Sequence, residues 1–207
     1  MLINLIAKRL SRNPIALAQK LAELELGFHA YCDKMACRAQ VSGNEPLAAV
    51  LSRQAFEEKN HAKMLAGAIG QRMKVDSAWS GGYRVLSDGK AIVYYHVAGI
   101  SRRYWVAKIF FNGQKAEDLE WADALAMMAT GERMGTRFYR CLYYCTPLPL
   151  SCIAYHISQD EENHCHRLVA ELQKEAGVFA FFYLLKWRLR AYLVLVLLSL
   201  GLPWITL

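Results

Sequence analysis

Two tetrapeptides constrain this chain more than anything else in it. Glu58-Lys59-Asn60-His61 and Glu161-Glu162-Asn163-His164 both read Glu-x-x-His. On a helix that spacing sets a carboxylate and an imidazole side by side on one face. One such tetrapeptide is a common accident. Two, each late in the second member of a helical hairpin, are much less so. The face around Glu58 also carries Val50, Leu51, Ala55, Ala62 and Leu65; the face around Glu161 carries Ile153, Ala154, Ile157, Cys165 and Leu168. An ionised carboxylate turned toward a core is costly unless it is paired or holds a metal.

Hydrophobic periodicity predicts four long helices, over 14–41, 46–72, 116–144 and 150–175. Pro14 suits a first helical turn. Ser42-Gly43-Asn44-Glu45-Pro46 and Thr146-Pro147-Leu148-Pro149 break the pattern, and Gly177 can close the fourth helix. Between the second and third helices lies 73–115, rich in Gly, aromatic and β-branched residues, with a candidate small hairpin of 83–86 and 91–95 about Ser87-Asp88-Gly89. A connection of this length is functional or a structural crossover. The expected order is hairpin, long crossover, hairpin: an all-α chain with a four-helix domain over 1–176 and an apolar C-terminal extension over 177–207.

The other two helices each offer a carboxylate. Glu25 lies on a stripe with Leu17, Leu21, Phe28, Cys32 and Met35, whereas Glu23 is on a more polar side near Gln19 and Lys20. Glu132 lies with Ala124, Leu125, Met128, Ala129, Gly135 and Tyr139. All four helices thus turn a carboxylate inward and two add a histidine. Hard oxygens and imidazole nitrogens suit iron or manganese, and four carboxylates with two imidazoles can hold two divalent ions. Inward Glu and His also build hydrogen-bond networks that need no metal. His29, His96, His156 and His166 read as ordinary surface or core histidines; His166, two residues past His164, points elsewhere on the helix.

With these residues in place, the chain resembles the ferritin-like di-iron carboxylate superfamily, which includes rubrerythrins, ferritins and oxygenases. The resemblance covers roughly 15–72 and 116–176, and implies a four-helix bundle with a long crossover between its second and third helices. It implies Glu25, Glu58, His61, Glu132, Glu161 and His164 as ligands of two iron ions, with manganese or a mixed pair as alternatives. The separation of Glu25 from Glu58 is similar to that in rubrerythrin-type sequences, which favours Glu25 over Glu23. Tyr31 resembles a tyrosine found near the family's metal site; Tyr31 or Tyr139 would supply hydrogen bonds or an electron. The sequence departs from a standard rubrerythrin in having no Cys-x-x-Cys module, and from the family in lacking an extra glutamate one turn from Glu132.

The resemblance implies an oxidoreductase that activates O2, fed by an electron donor, to oxidise an apolar and membrane-borne substrate. Two other classes share the residues: iron or peroxide handling, in a shell or a small homodimer, and a non-enzymatic membrane-associated scaffold. The six cysteines form no Cys-x-x-Cys pair, Cys141 and Cys145 alone are too few ligands for a structural zinc site, and the set suits a reducing, cytoplasmic setting. Net charge is +7 without the basic stripe a nucleic-acid interface needs, so a membrane surface is the expected partner. The first residues read as a short basic amphipathic helix, packed on the bundle or lying on a membrane, not as a secretory signal. Residues 191–207 carry no charge and follow Lys186, Trp187, Arg188 and Arg190. They would span as a short tail anchor, lie in one leaflet, or pack on protein.

Overall fold

A computed structural model of the chain describes residues 2–68, 110–111 and 114–199. Among these residues the structure is all-helical, with no strand. The helices are α1 (Leu2–Leu10), α2 (Pro14–Val41), α3 (Glu45–Ala68), α4 (Trp121–Cys145), α5 (Leu150–Ala176) and α6 (Ala180–Ser199), with 3-10 turns at Ala116–Asp118 and Gly177–Phe179. They belong to two compact units, one of Asn13–Arg103 and one of Met1–Arg12 with Tyr104–Leu207. The expected hairpin at 83–95, nearly all of the 73–115 crossover, and 200–207 lie outside the described residues.

The first unit is the α2–α3 hairpin. Asn13 opens α2 by accepting the Ala16 N–H at 3.2 Å, with Pro14 at the first helical position. The turn passes through Gly43 at φ +77°, a left-handed conformation that a side chain would strain. Asn44 then accepts the Leu47 N–H at 3.1 Å as α3 begins. The buried faces of both helices are rich in alanine, with Ala18, Ala22, Ala36 and Ala39 on one and Ala48, Ala55, Ala62 and Ala66 on the other. Small contact residues let helix axes approach closely. His29 Nδ1 donates to the Ala55 carbonyl at 2.8 Å, a cross-helix strut for a histidine that the sequence marks as ordinary.

The second unit is built on the α4–α5 hairpin, joined through Thr146 to Pro149 with a cis Leu148–Pro149 peptide. Gly177, at φ +54°, closes α5. Helix α6 packs on α4 through Ala180, Leu184, Trp187, Ala191 and Val194, one stripe at helical spacing. Trp187 is fully buried and its Nε1 donates to Asp123 Oδ1 at 2.8 Å. Lys186 Nζ reaches the same oxygen at 2.6 Å, and the Arg190 guanidinium lies 4.9 Å from the Trp187 ring. Helix α1 packs on α4 and α6 with Ala7 fully buried, and Cys141 Sγ donates to Asn4 Oδ1 at 2.9 Å.

One expectation is corrected here. The helix expected from 116 starts at Trp121, because Leu119 and Glu120 are extended (ψ 144° and 151°) and Leu119 is buried between the 3-10 turn and α4. Helix α6 runs unbroken through the basic residues 186–190, where Lys186 and Trp187 both meet Asp123. No helix among the described residues is long and apolar enough to cross a membrane.

The Asp123 junction yields a stability prediction. Asp123→Ala leaves the buried Trp187 N–H without its acceptor and should cost about 1–3 kcal/mol in urea unfolding. Lys186→Ala removes a half-exposed partner of the same carboxylate and should cost no more than about 1 kcal/mol.

Candidate metal centre

Within the Asn13–Arg103 unit, Glu25 on α2 is placed by periodicity. It follows Leu17, Ala18, Leu21 and Ala22 on the buried stripe and is 1% exposed. Two residues earlier, Glu23 lies off that stripe and pairs with Lys20 at 2.9 Å. On α3 the same logic separates Glu58, 1% exposed, from Glu57, which meets Arg53 at 3.0 Å on the outer side. His61 comes one turn after Glu58 and is also buried. Its Nδ1 lies 3.2 Å from Glu58 Oε2 and 3.6 Å from Glu25 Oε2. The three residues offer ligand atoms within 4.8 Å of one another.

Burial pushes the Glu25 carboxyl up to about 8; the His61 hydrogen bond opposes this and the Glu58 charge adds to it. Burial opposes charge on His61, but hydrogen bonds to Glu25 and Glu58 and their charges outweigh it, lifting the imidazole to about 10. Both folded values lie above the ordinary ones of 4.5 and 6.5, so both groups hold protons more tightly in the folded state. Their stabilisation is complete below the ordinary values and is lost as pH rises through about 8 and about 10. Metal-free protein should therefore unfold at lower urea at about pH 9 than at about pH 6. Metal affinity should rise over the same interval, because binding must displace these protons.

The second unit repeats the donor set. Glu132 on α4 is 5% exposed, and α5 supplies Glu161 at 5% and His164 at 0%. His164 Nδ1 lies 3.3 Å from Glu132 Oε2, and these three residues again offer ligand atoms within 4.8 Å of one another. The adjacent Glu162 is turned outward, where Arg140 meets it at 2.6 Å. Space for Glu161 comes from Gly135: a Cβ there would fall 2.3 Å from Glu161 Oε2. The structure therefore leaves a side-chain-sized gap on α4 where a carboxylate of α5 sits.

Tyr31 and Tyr139 are both buried, on the helices of Glu25 and Glu132. Tyr139 lies two turns past Glu132 on the same stripe and touches the Phe138 ring edge-on, with centroids 6.0 Å apart. Sequence reasoning missed several buried polar groups: Gln54, Thr130, Thr136 and Ser158. Thr136 Oγ1 donates to the Glu132 carbonyl at 2.9 Å, which anchors the backbone at that carboxylate. Cys165, beside His164, donates to the Ala129 carbonyl at 3.3 Å, and burial pushes its thiol up.

The donors fit a hard divalent metal. Each unit buries two carboxylates and one imidazole, and neither triad contains sulfur. Buried Glu and His of this kind can hold a metal ion. No family model matches the sequence, and comparison with curated proteins and with solved structures likewise gives no match.

Proposed function

We propose that the two triads together hold two iron ions in a ferritin-like four-helix bundle, and that the protein is an oxidoreductase using O2 to oxidise an apolar substrate. Manganese or a mixed pair is the alternative filling, since the donors are the same. The observation that carries this reading is duplication. Glu25, Glu58 and His61 in one unit and Glu132, Glu161 and His164 in the other are the same donor set, buried twice. Burying carboxylates is expensive, and one internal network would not require the set to recur.

When bound, such metals would supply the electrons and the binding position for O2. The chain's own residues have defined tasks. The four glutamates balance the charge of two divalent ions, and the two histidines fix the positions of their neighbouring carboxylates. Leu21, Leu51, Leu65, Leu125, Ile157 and Leu168, all buried beside these positions in the sequence, keep water out. Tyr31 and Tyr139 are the candidates for hydrogen bonding or electron supply. An external electron donor completes the balance, because the residues themselves are not a renewable source.

The test is reconstitution of full-length protein with Fe(II) without air, followed by metal analysis and O2 uptake, beside a Glu58→Ala/Glu161→Ala variant. The reading expects about two irons per chain, O2 consumption on exposure to air, and loss of both in the variant. A folded wild type that takes up no metal overturns it. Metal uptake with peroxide consumption and no O2 consumption would transfer the centre to peroxide handling.

A further inference from the structure

Helix α6 is apolar on more than the side it packs. Phe181, Leu185, Leu189, Tyr192 and Leu193 form an outward stripe at helical spacing, each between 41% and 64% exposed. A helix that is apolar all round belongs in a core or against lipid, and the packing of α6 on α4, α1 and α5 leaves this stripe exposed. The charges identify what covers the other. Residues 1–22 hold Lys8, Arg9, Arg12 and Lys20, residues 176–207 hold Lys186, Arg188 and Arg190, and neither segment contains Asp or Glu. These seven are taken from 25 cations, so residues 23–175 carry 18 cations against 18 acids and the whole net charge of +7 sits at the two ends. In the structure α1 lies against α6, and Lys8, Arg9, Arg12 and Arg188 are exposed.

We infer that the outward face of α6, with the basic α1 beside it, docks on an anionic lipid bilayer, lying in the plane of its surface. Aromatic and leucine side chains beside clustered cations are what such a surface takes up: the apolar face enters the headgroup boundary and the cations meet acidic lipids. A second copy of this chain is the poorer occupant, because it would bring a second acid-free basic face against the first. Glu120 and Glu175, which with Phe179 and Phe182 line a cavity at the start of α6, would be repelled by anionic headgroups. The contact is therefore centred further along, at Leu185, Leu189, Tyr192 and Leu193. The docking is independent of the metal centre, so apo and metal-loaded protein should partition alike.

The experiment is flotation of full-length protein with vesicles of phosphatidylcholine alone, or of equal phosphatidylcholine and phosphatidylglycerol, at low and high salt. Wild type should float with the anionic vesicles, less so at high salt, and poorly with the neutral ones. Leu189→Glu/Tyr192→Glu, which alters exposed residues only, should keep its helical circular dichroism and partition roughly tenfold less or worse. Lys8→Ala/Arg9→Ala/Arg188→Ala should lose most of the salt-dependent part. Wild type left unbound by anionic vesicles at low salt overturns the inference. So does a glutamate variant that floats as well as wild type, or a wild-type dimer that this variant converts to monomer while neither binds vesicles.

Discussion

Glu25→Gln is expected to leave the metal-free protein as stable as its parent while depriving it of metal. Burial pushes the Glu25 carboxyl up to about 8, so without metal its neutral form is favoured at neutral pH and Glu58 is left to pair with the His61 imidazolium. Glutamine has nearly the same shape and keeps an acceptor and a donor, so urea unfolding without metal should change by no more than about 1 kcal/mol. With metal the balance reverses. The ion needs the carboxylate, and an amide oxygen carries no charge to meet it. Loss of even a supporting partner of a ligand costs roughly 10–100-fold in metal affinity, and Glu25 is proposed as a ligand itself, so the fall should be at least that large. Chelator competition measures it. Unchanged affinity would remove Glu25 from the ligand set; a large loss of apo stability would show its charge to be needed without metal.

That variant also shows which part of the site was legible in the sequence. Helical spacing distinguishes Glu25 from Glu23 and Glu58 from Glu57, because a shift of one or two residues moves a side chain from the buried stripe toward solvent. The structure has Glu25 and Glu58 1% exposed, with Glu23 and Glu57 engaged by Lys20 and Arg53. Such contacts are local, and a 3.6-residue period carries them. What the period does not carry is long-range. Asp123 and Trp187 lie 64 positions apart, and no local pattern announces the hydrogen bond between them that ties α6 to α4. The break at Leu119 and Glu120 was also hidden, since neither residue is a turn former and burial of Leu119 decides it. The proposed crossover, which the bundle topology needs, falls largely outside the described residues.

Gly135 is the clearest case of a residue whose part in the site no local pattern announces. On α4 it reads as a tolerated small residue on a buried stripe; in the structure it makes room for Glu161. Gly135→Ala should therefore separate folding from metal binding. Alanine in a helix interior gains about 0.5–1 kcal/mol over glycine. The new Cβ would stand 2.3 Å from Glu161 Oε2 and 3.1 Å from its Cδ, the far end of a flexible side chain, which can swing aside at little cost. Metal-free Gly135→Ala should thus be no less stable than wild type. The swing takes Glu161 away from His164 and Glu132, however, and metal affinity should drop roughly 10–100-fold, the range for misplaced ligand support. Gly131 supplies the control. It lies on the same helix with nothing within 4 Å of its would-be Cβ, so Gly131→Ala should stabilise the helix and leave metal binding alone. Metal affinity that falls equally in both variants would mean the effect comes from the helix backbone and not from Glu161. Affinity that falls in neither would show that Glu161 has no need of its present position.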